Sequence, residues 1–470
     1  MIVSHRALSL ILLVVALVAG GVLRFYDLGA LEMSPDEGAS WAAASAPTAA
    51  EVIARQPALN PGALPIHDLM LHEWIALFGT SMTAMRAMSA AFGLVSILLV
   101  YLVCCELFEL DSEKESALPR DRIETIAGLA ALIFAVNLVT IKYSREARMY
   151  PLMLAAILAQ VAMFIRALRV GGVANYAVVV VLTAVAIGSN FAAMLVPATE
   201  GSWLLYVVAR AGWRPDNSQA RHAWTIAIAL AAAGLILAPK LFSALHTASF
   251  GAGGSGWRKP PAVYEPFALF NKATGSFAFP ILTALAIWAV VRGWRGGARD
   301  AISFELLWMW APLLMMVAVS YTIAPVFVER YALSCFAPFF ILVALGIFEL
   351  PGDLVRAGAL VIAVAFSLGH IVSYDRKPHD AQYREAIAAA DSALKPGEVM
   401  SVVPLYAIEV LRYYLPADRL DRAVPFDATA STPAVLILGD QNLTPDAARS
   451  YTKEYPQVVA RLRGVTVLRR

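Results

Sequence analysis

Residues 7–37 read ALSLILLVVALVAGGVLRFYDLGALEMSPDE. The run Ala7–Leu23 is uncharged, and with its flank to Tyr26 it meets the roughly 20 mostly apolar residues that a spanning helix needs. Two adjacent acids, Asp36 and Glu37, follow that span and so lie at a membrane surface, just outside the hydrocarbon. A carboxylate at this depth can take a proton from a hydroxyl or hold a cation, within reach of a lipid headgroup. The same residues also spell a helix start. Ser34 suits the N-cap, Pro35 the first helical position, and Glu37, three residues after the cap, completes a capping box. The two readings agree, because a capped start holds Asp36 rigidly at the surface.

The rest of the chain repeats the first span's character. Hydrophobic residues make up 59% and charged residues 15%, with a mean hydropathy of +0.66; soluble domains carry about 25% charged residues. Eleven spans are predicted: Ala7–Tyr26, Ala84–Phe108, Ile123–Ile141, Met149–Leu168, Tyr176–Ser189, Phe191–Ala209, Ala223–Leu241, Phe277–Trp294, Phe304–Ala324, Tyr331–Leu350 and Ala357–Tyr374. The first is expected to stay as a helix and not to be cleaved as a signal peptide. The fold class is thus an all-α polytopic membrane protein, with residues 1–374 as the membrane module. Residues 375–470 turn polar and alternate helix and strand patterns, which predicts a small α/β domain outside the membrane. A net charge of +2 gives no support to nucleic-acid binding. Cys104, Cys105 and Cys335 all lie in spans and read as small apolar filling.

Orientation follows from basic residues in short loops. With the amino terminus in the cytosol, Lys114, Arg120 and Arg122 fall inside, as do Arg166 and Arg169. Arg210, Arg214 and Arg221, then Arg292, Arg295 and Arg299, fall inside as well. Lys142, Arg145 and Arg148 break the bias by crowding one short outer turn, which points to function. The first outer loop, 29–83, is predicted to hold short helices at Ala49–Arg55 and Ile66–Phe78, the second amphipathic enough to lie in the interface. A second outer loop, Ser243–Ser276, contains the run Gly251-Ala252-Gly253-Gly254-Ser255-Gly256. It reads as a mobile loop, since no P-loop lysine pattern accompanies it. Asn442-Leu443-Thr444 matches a glycosylation acceptor.

Three groups could carry chemistry on the outer side. Asp36 and Glu37 supply acid or base. The stretch Lys142-Tyr143-Ser144-Arg145-Glu146-Ala147-Arg148-Met149-Tyr150 supplies three cations and one acid, and arginine's planar fork suits phosphate oxygens. Glu329-Arg330-Tyr331 opens the tenth span and could complete an anion pocket. His67, His72 and Glu73 also lie in the first outer loop, with no HExxH pattern. As structural features alone, the second group is a snorkelling collar and the third an interface anchor.

The acidic pair resembles part of a known pattern when read with Leu71-His72-Glu73-Trp74-Ile75-Ala76-Leu77-Phe78-Gly79, Met85-Arg86-Ala87-Met88-Ser89, Tyr143–Tyr150 and Arg330-Tyr331. Order and sidedness are similar to those of the GT-C glycosyltransferases, in the branch of protein O-mannosyltransferases and aminoarabinose-transferase-like bacterial enzymes. The likeness covers about residues 7–350. It implies a polyprenyl-phosphate-linked sugar donor used on the outer face of the inner membrane, with a lipid, glycan or protein acceptor. It implies Asp36 as general base in an inverting transfer, Glu37 as its neighbour and Glu146 as a second acid. Arg148 and Arg330 fall where donor-phosphate ligands are expected, with Lys142, Arg145 and Tyr331 beside them. The acceptor region includes His67 and His72. One departure is Ala63-Leu64-Pro65-Ile66-His67-Asp68, where relatives carry paired prolines, and it leaves the acceptor open. No obligatory cofactor is implied, although Asp36, Glu37 and Glu146 could converge on a divalent metal. The rival classes are a lipid-linked-sugar transporter or flippase and a membrane-anchored binding protein. A transporter would place ionisable residues at span centres, where this sequence has few. Deleting 375–470 is expected to leave a transferase its core chemistry and to cost a scaffold everything.

Overall fold

The computed structural model describes residues 5–61, 63–111, 118–214, 217–250, 260–376, 381–426, 432–439, 443 and 445–470. The glycine run 251–256, Lys114, and the Asn442 and Thr444 of the glycosylation pattern lie outside them. The chain divides into two compact units. One holds residues 1–26, 62–67 and 86–376. The other holds 27–61, 68–85 and 377–470.

The first unit is helical. Among the described residues, seven helices are long and apolar enough to cross a membrane, or nine if each of two bent helix pairs forms one span. Eleven spans were predicted; the remaining two coincide with the shorter apolar helices Val173–Ser189 and Leu333–Phe348. The unit's centre is built from Arg120–Ala135, Tyr150–Val170 and Phe336–Phe348, nearly all of whose side chains are buried. Close approach needs small residues. A Cβ on Gly346 would meet the Leu285 carbonyl at 2.1 Å, so glycine lets Phe336–Phe348 lie directly on Ala278–Arg295. The three cysteines are buried and form no disulfide.

One expectation needs correction. The predicted loop 243–276 is shorter than expected. The helix Ser218–Phe250 runs on past Leu241, and Glu265–Thr274 forms a helix of its own, joined at 107° to Ala278–Arg295. One span centre does hold an ionisable group, since Glu200 is fully buried at the middle of Phe191–Ala209, while Arg24 and Glu305 are fully buried nearer span ends. Local pairing makes this tolerable for two of them. Arg24 donates to the carbonyls of Ala135 at 2.8 Å and Gly20 at 3.2 Å and to Thr140 Oγ1 at 3.2 Å. Glu200 Oε2 accepts from Gln160 Nε2 at 2.8 Å.

The second unit combines helices from residues 27–61 and 68–85 with a four-stranded sheet. Strands β1 (Met400–Val403), β2 (Val435–Gly439), β3 (Gln457–Leu462) and β4 (Val465–Arg469) lie in the order β1-β2-β4-β3. β1 and β2 run parallel, with Met400 opposite Val435; β4 is antiparallel to both β2 and β3. Every residue of β2 is buried, as its unbroken apolar run requires of a central strand. The helix Tyr383–Ala393 packs on this sheet through Tyr383, Ala386, Ile387 and Ala390. The predicted helix Ile66–Phe78 is observed with those bounds, and Ala49–Arg55 extends to Leu59.

Candidate functional site

The acidic group sits at the start of the helix Pro35–Ala44. Its capping box is complete. Ser34 Oγ accepts the Glu37 N–H at 3.3 Å, while Glu37 Oε2 accepts the Ser34 N–H at 3.0 Å and its hydroxyl at 3.1 Å. Glu37 is only 1% exposed, so this carboxylate is built into the turn. Asp36, one residue earlier, is half-buried in the same first turn. Carboxylates here also meet the positive end of the helix dipole.

The rest of the second unit grips this helix from several sides. Immediately before the cap, the Met33 N–H donates to the Tyr414 hydroxyl at 2.9 Å, and Glu32 Oε2 accepts the Arg384 N–H at 2.7 Å. Burial, and then a hydrogen bond to Glu385, raise the Glu32 carboxyl to about 7, against the Arg384 N–H that favours its charged form. Further along the helix, a Cβ on Gly38 would stand 3.1 Å from Val410 Cγ2 and 3.2 Å from its backbone nitrogen. Trp41 meets the Tyr413 ring edge-on at 5.3 Å. His72 donates from Nδ1 to the Ala44 carbonyl at 2.8 Å, so it braces the far end of the helix.

The basic group belongs to the first unit, and a bent helix pair positions it. Asn137 Oδ1 caps the helix Leu138–Ser144 by accepting the Thr140 N–H at 3.0 Å, while its amide donates to the Ala273 carbonyl at 2.9 Å. The preceding helix Arg120–Ala135 meets this short helix at 63°. A tight turn follows, in which the Arg148 N–H donates to the Glu146 carbonyl at 2.8 Å. Glu146 is half-buried and Arg148 buried. Arg148 and Arg330, distant in sequence, meet at one aromatic ring: their guanidinium carbons lie 5.9 Å and 5.4 Å from the centroid of Tyr150.

The other cations face carboxylates. The buried carboxylate of Glu329 takes the Tyr143 hydroxyl at 3.1 Å, Lys142 Nζ at 3.6 Å and an ion pair from Lys272. Arg145 pairs with Asp375 at 3.6 Å and donates to the Tyr26 carbonyl at 3.2 Å. Tyr331 is buried, its ring against Phe191 at 5.4 Å. His67 is buried in the first unit, where the neighbouring Ile66 fills the space beside Gly188. Sequence reading passed over Lys272 and gave Tyr150 no role. Tyr150 was legible as the residue ending a basic turn, whereas Lys272 lies in a helix taken for loop. Among the described residues, no three or more His, Cys, Asp and Glu side chains are grouped as a metal would need.

This is a GT-C fold. ArnT from Cupriavidus metallidurans in the apo state matches with a TM-score of 0.60 at 13% identity, over 98% of this chain and 97% of that one. The same protein bound to undecaprenyl phosphate gives 0.55 at 14%, with the same coverage. The oligosaccharyltransferase of Archaeoglobus fulgidus, in complex with Zn and sulfate, gives 0.51 at 14%, over 88% of this chain and 62% of that one. No protein-family model matches the sequence, and no curated protein does.

Proposed function

We propose that the protein is a membrane glycosyltransferase that moves one sugar from a polyprenyl phosphate to an acceptor hydroxyl or amine. The reaction runs on the outer face of the inner membrane, with the amino terminus in the cytosol and residues 375–470 outside. The acceptor is a lipid, a glycan or a protein. The observation that carries this reading is the meeting of Arg148 and Arg330 on Tyr150, in a fold shared with a protein that binds undecaprenyl phosphate.

In the transfer, an Asp36 carboxylate oxygen accepts the acceptor's proton as the acceptor attacks the anomeric carbon. The bond from that carbon to the phosphate oxygen breaks, and its electron pair leaves with the lipid phosphate. Arg148 and Arg330 meet the charge that grows on the leaving group. Attack opposite the leaving group inverts the anomeric centre. Glu37 keeps the first helical turn fixed, and Lys142 and Arg145 hold the basic turn through Glu329 and Asp375.

Mass spectrometry of membrane lipids and envelope glycans, with and without the gene, is expected to reveal a missing sugar. Asp36→Asn should fail to restore it at normal abundance in the membrane, and a working Asn variant overturns the base assignment. Arg330→Ala should weaken binding of undecaprenyl phosphate to the purified protein; unchanged binding counts against the phosphate role. The buried Glu200 and Glu305 are the observation that favours a transporter instead. Under that reading Asp36→Asn keeps full function, so one variant separates the two.

A further inference from the structure

Away from the acidic and basic groups described above, the first unit has a cavity of about 490 Å³ whose lining includes Arg210, Arg295, Arg299, Asp300, Tyr206 and Trp294. Three helix ends meet there: Arg210 ends Leu195–Arg210, Arg295 ends Ala278–Arg295, and Arg299 opens Arg299–Thr322. All three helices belong to segments of membrane-crossing length and apolarity, so the cavity lies at the depth of lipid headgroups. Its lining carries three arginines against one aspartate. That aspartate is engaged, with Arg210 Nη1 donating to both Asp300 oxygens, at 2.8 and 3.0 Å. Arg299 is aimed by its Nε–H, which donates to the Trp294 carbonyl at 3.1 Å. The Arg295 guanidinium makes no hydrogen bond or ion pair with the described residues, and it lines the cavity. The amino-terminal N–H groups of Asp300 and Ala301 are capped by Asp111, at 3.3 and 3.0 Å, so the anion-binding capacity rests with the guanidinium groups.

Tyr206 and Trp294 give the cavity the amphipathic wall typical of the membrane interface. Planar guanidinium forks match phosphate oxygens, and basic pockets between transmembrane helices take anionic lipid headgroups. Counting basic residues along the chain placed Arg210 and the pair Arg295 and Arg299 in separate loops; folding brings them to one pocket.

We infer that this cavity is a binding site for the phosphate of an anionic phospholipid, separate from any sugar-transfer chemistry. The inference does not depend on the proposed function. The test uses native mass spectrometry of the full chain, released from vesicles of equal parts phosphatidylglycerol and phosphatidylcholine. The wild type should retain phosphatidylglycerol in preference to phosphatidylcholine. The double variant Arg295→Gln, Arg299→Gln should lower that retention about thirtyfold, on the scale expected for two interfacial arginines. The conservative pair Arg295→Lys, Arg299→Lys should keep most of it, which distinguishes lost charge from lost fold. Arg214→Gln with Arg221→Gln removes the same charge elsewhere and should leave retention unchanged; an equal loss there overturns the site in favour of diffuse attraction. Displacement of the lipid by millimolar inorganic phosphate also overturns it, in favour of a free-anion site.

Discussion

Ser34 and Glu37 each satisfy a backbone N–H of the other, so a change at either residue acts on Asp36 between them. Ser34→Ala should lower stability by about 1 kcal/mol, measurable by thermal unfolding, and should reduce product without abolishing it. Asp36→Asn should do the reverse, with the fold intact and product lost. Glu32 gives a separate prediction. Its carboxyl holds its proton up to about pH 7 in the folded protein, against an unfolded value of 4.5. A raised acid contributes stability that is full below the unfolded value and lost as pH climbs through the folded one. Glu385, lowered chiefly by its bond to Glu32, works in the opposite direction, being stabilising above its unfolded value and less so as pH falls. Arg384 faces Glu32, and Arg463 also acts on Glu385. Segment 31–34 should therefore exchange its amide hydrogens faster at about pH 8 than at about pH 6, after correction for intrinsic rates. Glu32→Gln should flatten that difference. The capping box was readable in four consecutive residues because both of its bonds are local. The Glu32–Glu385 pair was not, because its two carboxyls come from opposite ends of the chain.

The helix Pro35–Ala44 owes its placement to Ile408–Tyr414, not to its own ten residues. So short a helix is marginal in isolation. Tyr414→Phe removes the acceptor for the buried Met33 N–H, which costs about 1–3 kcal/mol when a donor is left unsatisfied. The expected result is faster exchange across 33–44 and a lower kcat, with donor binding unchanged. Gly38→Val should do more, since the added atoms run into Val410, including its backbone. The helices and strands of the carboxy-terminal domain were legible from period and breakers. The strand order was not, because a parallel β1–β2 pair and an antiparallel β4 depend on pairings between distant segments. The 63° break at Asn137 had a local signal, an N-cap residue inside an apolar run, which a hydropathy reading smooths over.

At the scale of the whole molecule, residues 27–61 and 68–85 form a single compact unit with the carboxy-terminal domain. That changes the expected effect of truncation. Deleting 377–470 strips Tyr413, Tyr414 and Val410 from the helix that bears Asp36, so transfer should fail while the transmembrane helices still insert. Product analysis together with protease mapping of the membranes checks both halves of that statement; retained transfer would show that the loop holds its shape alone. Composition and hydropathy were enough to establish a polytopic helical protein with a polar α/β tail, since lipid admits few other solutions for so apolar a chain. Short motifs singled out Asp36, Arg148 and Arg330 as candidates, because charged residues beside an apolar span stand out in sequence. Only the tertiary structure decided that Arg148 and Arg330 share Tyr150, that Lys142 and Lys272 converge on Glu329, and that Tyr414 holds the backbone ahead of Asp36. Each of those contacts joins residues far apart in the chain, and helix packing, not sequence periodicity, sets which of them touch.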